Sequence, residues 1–312
     1  MYRAGAAAAA RVAIAVALLL GAAPALAVEP LIVVVASEQG GSHAEATEAL
    51  LTELEQGGVG RGQVALIGRG DAATLGGHTP RLAIALGSAA AQALSDSESK
   101  VSQLYALLPR AAAEPLLAKA QGHRVASAIY LDQAYARQLE LLRLALPEQR
   151  NVGVLWGPAS EAHKPALSEA AAVRGLRLVS HSVDSSASLY AQLQRTLDEA
   201  QVLLAVAEPS IWNSSSIQYI LLASFRARVP LVAFSPAYVR AGALLAIYAT
   251  PAQIGSQAGV MARAVLAGRA LPPPQYPAQF TVQVNGHVAR ALGLQLNENE
   301  LTAKLLESER HR

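Results

Sequence analysis

The chain has 312 residues, of which 52% are hydrophobic and 15% are charged, with no cysteine and a formal net charge of +2. The absence of cysteine excludes disulfides, thiol chemistry and thiolate metal sites, so a hydrophobic core must supply the stability. The near-neutral charge argues against nucleic acid and anionic membrane surfaces as partners.

The first 27 residues have the features of a secretory signal peptide. Arg3 and Arg11 precede an apolar run from Val12 to Leu20, and Ala25-Leu26-Ala27 forms a small-x-small cleavage site. An uncleaved membrane anchor is the alternative, but the apolar run is short for a span. Since no later apolar run approaches the ~18 residues of a span, we expect a periplasmic protein without a membrane span in the mature chain.

The first half of the chain alternates between strands and helices. Apolar strands are predicted at LIVVVAS (31–37), QVALI (63–67), RLAIALG (81–87) and RVASAIY (124–130). Amphipathic helices are predicted at 42–56 and 132–147, with a further helix in SAAAQAL. Continuous apolar strands separated by helices are typical of a parallel, doubly wound α/β sheet.

The same alternation begins again after residue 150. Strands are predicted at NVGVLW (151–156), LRLVSHSV (176–183), QVLLAVA (201–207) and PLVAF (230–234), with helices at 160–174, 187–200 and 214–227. This second half therefore predicts a second sheet of the same type.

The stretch from 229 to 249 decides how the two units connect. Only eight residues separate PLVAF from the next apolar run, ALLAIYA, which is less than a crossover between parallel strands normally needs. We therefore expect the chain to leave the second unit at Ser235-Pro236 and return to the first, and LPPPQYP (271–277) to be a third crossing. The predicted lobes are 28–131 plus 236–275, and 132–235 plus 276–312.

Four segments carry a resemblance to a known family: PLVAFSPAYVRAGALLAIYATPAQIGSQAG (230–259), QFTVQVNGHVARALGL (279–294), ALGSAAAQAL (85–94) and RQLELLRLALPEQRNVGVLWGP (137–158). The chain resembles the ABC-transporter substrate-binding proteins of the tryptophan/tyrosine-type group over residues 31–308. The resemblance implies a type I periplasmic-binding fold, with two Rossmann-like lobes, a three-crossing hinge and a ligand in the cleft. The chain differs where members carry a turn resembling VSDP, because it has Leu108-Pro109-Arg110 there.

Ligands of doubly wound sheets bind at the carboxyl ends of the strands, beside helix N-termini. The residues at those positions are the candidate ligand-binding residues: Ser37, Gly87, Ser88, Ala89, Tyr130, Asp132, Trp156, Glu208, Trp212 and Ser235.

Three residue types among them could recognise a ligand directly. Ser88 and its neighbouring amides could receive a carboxylate, Glu208 could bind an ammonium group, and Trp156 and Trp212 could stack on a ring. Each has a structural alternative. A serine there can cap a helix, an acid can match the helix dipole, and a tryptophan can pack in the interior.

No enzyme signature accompanies these residues. The chain has no GxSxG or HExxH motif, its seven histidines show no ligand spacing, and no Lys-Ser/Thr follows the glycines of GRGDAATLGG (68–77). We therefore expect a non-enzymatic protein with no metal or cofactor.

Two functions remain open. One is a monomeric solute-binding protein that delivers a small, possibly amino-acid-like molecule to an ABC permease. The other is a non-transport envelope module that uses the same fold to bind or regulate a protein partner.

Overall fold

The structure, a computed structural model, describes residues 29–310. The signal peptide predicted for residues 1–27 lies outside them. Within the described residues, the chain forms two sheets covered by helices on both faces, as the alternating pattern predicted.

The first sheet is entirely parallel and has the order β2-β1-β3-β4-β5. Its central strand is buried at every position, which explains why the sequence there is a continuous apolar run rather than an alternating one. The strand bounds are β1 Ile32–Ala36, β2 Val64–Ile67, β3 Leu82–Leu86, β4 Ser102–Leu108 and β5 Ala126–Tyr130.

The second sheet has the order β11-β10-β9-β8-β6-β7 and is parallel except for β11, which runs antiparallel to β10. Its strands are β6 Asn151–Trp156, β7 Arg177–Ser182, β8 Val202–Leu204, β9 Leu231–Ala233, β10 Leu245–Tyr248 and β11 Thr281–Val284.

The helices are assigned to the lobe whose core they cover. The first lobe contains α1 Gly41–Gln56, α2 Ser88–Ser95, α3 Arg110–Ala120 and α9 Pro251–Leu266. The second contains α4 Tyr135–Ala145, α5 Lys164–Ala172, α6 Ser186–Glu199, α7 Ile217–Arg226, α8 Pro236–Ala241, α10 Gly286–Ala291 and α11 Glu298–Arg310. Short 3₁₀ segments lie at Arg61–Gln63, Arg69–Gly77 and Glu161–His163.

The assignment of ALLAIYA to the first lobe was wrong. β10 pairs in parallel with β9, so it extends the second sheet. The connection is the short helix α8, which Ser235 caps by accepting a hydrogen bond from the Ala237 amide at 3.2 Å. A helix of about six residues is ~9 Å long, enough to join neighbouring strands ~4.8 Å apart. The second crossing therefore lies after Tyr248, at Ala249-Thr250, and not at Ser235-Pro236.

The second crossing delivers α9 back to the first lobe, where it packs tightly on α1. Thr250 caps this helix and Pro251 occupies its first turn. Gly255 permits the close approach, because a Cβ there would lie 2.1 Å from the carbonyl oxygen of Ala46. Buried side chains of both helices, including Leu50 and Ile254, complete this part of the first-lobe core.

Arg137 of α4 ties the first and third crossings together. Its guanidinium donates to Gln133 Oε1 and to the carbonyl of Pro277, both at 2.8 Å, and to Glu309 Oε1 at 2.5 Å. It also lies 4.8 Å from the ring centre of Phe280. One half-buried cation therefore connects two crossings and the C-terminal helix.

No helix among residues 29–310 combines the length and apolar character that a membrane span requires.

Candidate functional site

All three crossings join the carboxyl edges of the two sheets. The first leaves the carboxyl end of β5 at Tyr130, and the second leaves that of β10 at Tyr248. The third begins at Gln275, which bridges Ile129 of β5, and ends at Thr281, which lies opposite Tyr248. Strand ends at such edges are where doubly wound folds bind ligands, so the crossings connect the two candidate binding edges.

The first-lobe candidates converge at the N-terminus of α2. Ser37, which follows β1, accepts a hydrogen bond from the Ala90 amide at 2.9 Å. A Cβ at Gly87, where φ is +94°, would lie 2.5 Å from both Ser37 Oγ and His43 Nε2. The next two residues, Ser88 and Ala89, are exposed. The structure therefore brings Ser37, Gly87, Ser88 and Ala89 together, and His43 joins them.

Tyr130 and Asp132 belong to a second cluster, beside the first crossing. Asp132 Oδ2 accepts a hydrogen bond from the Arg110 amide at 2.6 Å. The rings of Tyr130 and Tyr276 meet edge to face with centroids 5.4 Å apart. The Arg110 guanidinium donates to the Tyr276 hydroxyl at 2.7 Å and lies 5.9 Å from the Tyr130 ring centre. Arg110 thus connects the start of α3 to the first and third crossings.

Burial dominates the electrostatics of this second cluster. It raises the pKa of the Asp132 carboxyl, against the opposing effect of the hydrogen bond from the Arg110 amide. Burial likewise raises the pKa of the Tyr130, Tyr135 and Tyr276 hydroxyls. The tyrosines of the cluster are therefore neutral hydrogen-bonding groups at physiological pH.

Glu208 is buried and does not present a free carboxylate to the cleft. Its Oε2 accepts hydrogen bonds from Ser160 Oγ at 2.9 Å and from the Ala159 amide at 3.0 Å, while its Oε1 accepts one from Ser210 Oγ at 2.7 Å. Gly157 completes the arrangement, because a Cβ there would lie 2.5 Å from the Glu208 carboxyl carbon. The residue predicted to bind an ammonium group instead fastens the loops after β6 and β8 to each other.

Both tryptophans are interior residues, which favours packing in the interior over covering a ligand. Trp156 is 0% exposed and packs in the same core cluster as Val152 and Val154, four and two residues earlier on β6. Trp212 is 4% exposed and lies in the core on the other face of the second sheet. Its ring centre lies 6.3 Å from that of Tyr238. Ser235 caps α8, as described above.

Several residues at the interface were not predicted: Arg110, Glu114, Tyr135, His163 and Tyr276. Glu114 Oε2 lies 3.7 Å from His163 Nε2, across the boundary between the lobes. The i,i+4 spacing of Arg110 and Glu114 is visible in the sequence, but no local pattern connects either residue to His163. Across residues 29–310, no group of three or more His, Asp or Glu side chains could hold a metal ion.

A family model describes the chain directly. The model for ABC transporter substrate-binding proteins matches residues 71–305, which include strands of both sheets and all three crossings. The chain belongs to this family. A search of curated proteins finds no matching relative.

Solved structures of similar fold agree with membership in the substrate-binding family. The ligand-free, open structure of CD0873, a substrate-binding protein with adhesive properties from Clostridium difficile, has a TM-score of 0.70 at 18% identity. An ABC domain in complex with L-Trp from Streptococcus pneumoniae has a TM-score of 0.61 at 17% identity, and a conserved domain protein from Vibrio cholerae one of 0.61 at 19%. Each comparison covers 88% of this chain and 97% of the other. At these identities the likeness establishes the fold, a type I periplasmic-binding-protein fold.

Proposed function

We propose that this protein is an exported, non-catalytic solute-binding protein that captures a small molecule between its lobes and delivers it to an ABC permease. The observation that carries the proposal is the arrangement of the crossings, all of which join carboxyl edges. Rotation about these crossings would open or close the cleft, as hinge closure does around other ligands. We further propose that the signal peptide directs the protein to the periplasm and that it acts as a monomer.

The first-lobe cluster at the start of α2 is the proposed anchor of the ligand. The exposed Ser88 and Ala89 lie at a helix N-terminus, where backbone amides and the helix dipole favour an anionic group. This supports a ligand with a carboxylate, such as an amino-acid-like molecule. The L-Trp in the Streptococcus pneumoniae structure is a ligand of that protein, and it motivates testing amino acids first.

A ligand screen tests the proposal. Thermal unfolding of the mature protein should be measured with individual amino acids and other small metabolites. A true ligand at 100 times its Kd adds ~2.7 kcal/mol to the folded state, and small-angle scattering should then show a smaller particle. If metabolites give no stabilisation and no compaction while a protein partner is captured, the non-transport envelope module is the better description.

A matched pair of substitutions tests the position of the anchor. Ala89→Trp places a large side chain at the start of α2, whereas Ala118→Trp places one in the last turn of α3, at the opposite edge of the same lobe. Both alanines are exposed. We expect Ala89→Trp to weaken ligand binding at least ~10-fold, or ~1.4 kcal/mol, and Ala118→Trp to leave it unchanged. Equal affinity in both variants, measured by titration calorimetry, would place the ligand elsewhere.

A further inference from the structure

Glu114 and His163 make a direct side-chain contact between the lobes. Glu114 lies in the second turn of α3, which belongs to the first lobe, and His163 ends the 3₁₀ segment before α5 of the second. The His163 side chain is only 11% exposed, and its Nε2 lies 3.7 Å from Glu114 Oε2. Because the two residues belong to different lobes, any rotation at the crossings changes this distance.

Glu114 is held in place by groups that belong to the hinge. Its Oε1 accepts a hydrogen bond from Arg110 Nε at 2.6 Å. Arg110 in turn donates to the Tyr276 hydroxyl of the third crossing and, through its backbone amide, to Asp132 of the first crossing. The carboxylate that faces His163 is therefore fixed relative to two of the three crossings.

Charged groups lie on the first-lobe side of His163. Glu114 of α3 and Asp132 of the first crossing face it as acids, and the charge of His163 lowers the pKa of Asp132 against the effect of burial. Arg110 is the cation on the same side, but its guanidinium pairs with Glu114. Tyr135 and Tyr276 stay neutral because burial raises their pKa.

The groups on the second-lobe side of His163 are paired with each other. Glu161 Oε1 lies 3.7 Å from Lys164 Nζ, and Glu161 Oε2 accepts a hydrogen bond from Ser182 at 3.0 Å. The interlobe contact therefore depends mainly on Glu114 and on the charge of His163. Histidine is the side chain that ordinarily changes charge between about pH 5 and pH 8.

We propose that Glu114 and His163 form an interlobe latch that holds the lobes at the angle seen here and weakens as the imidazole loses its proton. The latch acts on the lobe equilibrium, not by contact with the solute. Only its effect on solute affinity rests on the proposed function. A ligand shifts the same equilibrium, so a change in latch strength must change apparent affinity.

The lack of cysteine permits a direct measurement on the ligand-free protein. Spin labels on Ala118→Cys in α3 and Ala172→Cys in α5, both exposed positions, report the interlobe distance by pulsed electron resonance. We expect the distance distribution of the labelled parent to shift or broaden between about pH 5.5 and pH 8. Glu114→Gln and His163→Gln should each produce the high-pH distribution at both pH values.

Controls separate the latch from general effects. Glu161→Gln removes an acid beside His163 without removing the interlobe contact, so it should keep the parent's pH response. The Glu114→Gln/His163→Gln double variant should equal each single variant, because one contact cannot be lost twice. Distributions that do not change with pH, or that are the same in parent and both single variants, would overturn the latch. Because no solute is used, a failed ligand screen leaves this result interpretable.

Discussion

The contact between α1 and α9 allows the sharpest stability prediction, through Gly255→Ala. The added Cβ would lie 2.1 Å from the Ala46 carbonyl oxygen, 2.8 Å from its carbon and 2.9 Å from its Cα. Close carbon–oxygen contacts begin at about 3.3 Å. The two helices must therefore separate by roughly 1.2 Å, because every one of these atoms is backbone and cannot rotate away.

The magnitude follows from two opposing effects. Overpacking a well-packed interior costs about 1–3 kcal/mol, and a clash with backbone belongs at the upper end of that range. Replacing glycine by alanine inside a helix returns about 1 kcal/mol. We therefore expect Gly255→Ala to lower the free energy of unfolding by about 2 kcal/mol, which corresponds to a fall in Tm of roughly 5 °C for a protein of this size.

Gly259→Ala is the matched control on the same helix face. Its Cβ would lie 2.7 Å from Glu53 Cβ and 3.0 Å from the Leu50 carbonyl oxygen, so a smaller movement relieves the contact. Thermal and denaturant unfolding of both variants should place Gly259→Ala between the parent and Gly255→Ala. If Gly255→Ala is as stable as the parent, the close approach of α1 and α9 described here is wrong.

Three further predictions concern the site and the hinge. Glu208→Ala leaves the donors of Ser160, Ser210 and Ala159 without their acceptor and should lower the free energy of unfolding by about 3 kcal/mol. A variant that is as stable as the parent and loses only ligand binding would instead support the ammonium-binding hypothesis. Arg137→Ala should lower the free energy of unfolding by about 2–3 kcal/mol in denaturant, since Glu309 and the Pro277 carbonyl lose a charged donor. Arg177→Ala is the control and should lower it little, because the pair of Arg177 with Glu199 is exposed. Equal losses of stability in the two variants would contradict the hinge role of Arg137. Burial raises the pKa of Asp132 in the folded state, so the folded protein holds this proton more tightly than the unfolded protein does. The parent should therefore lose stability relative to Asp132→Asn as the pH rises above about 4. Parallel curves of unfolding free energy against pH for the two proteins would refute this.

Hydrophobic pattern was sufficient to predict most strands and several helices, but β4, β11 and the helices α3, α8, α10 and α11 were not predicted. The expected helix at 42–56 is observed at Gly41–Gln56, and the one at 187–200 at Ser186–Glu199. Long amphipathic segments determine their own type, because only a helix places their apolar residues on one face. The prediction for the connection at 235–242 was wrong. Ser235 and Pro236 are ordinary helix-start residues, and they build a crossover shorter than the usual length suggested.

The candidate site was predictable only as far as strand ends reveal it. Ser37, Gly87 and Ser88 converge because parallel strands end at one edge, which the sequence indicates. The burial of Trp156 follows from the alternation of side chains along β6, because Val152, Val154 and Trp156 share one buried face. Arg110, His163 and Tyr276 meet through contacts between distant segments, and no local pattern predicts which loops of two lobes will touch.

The route of the chain also determines when each lobe can become complete during synthesis. The first-lobe core includes Ile254, Ala258 and Met261 of α9, which are made only after β6 to β10 of the other lobe. The second sheet likewise waits for β11, beginning at Thr281. Neither lobe can therefore close its core on a nascent chain that ends before these segments. Such dependence on partners that are distant in sequence slows folding.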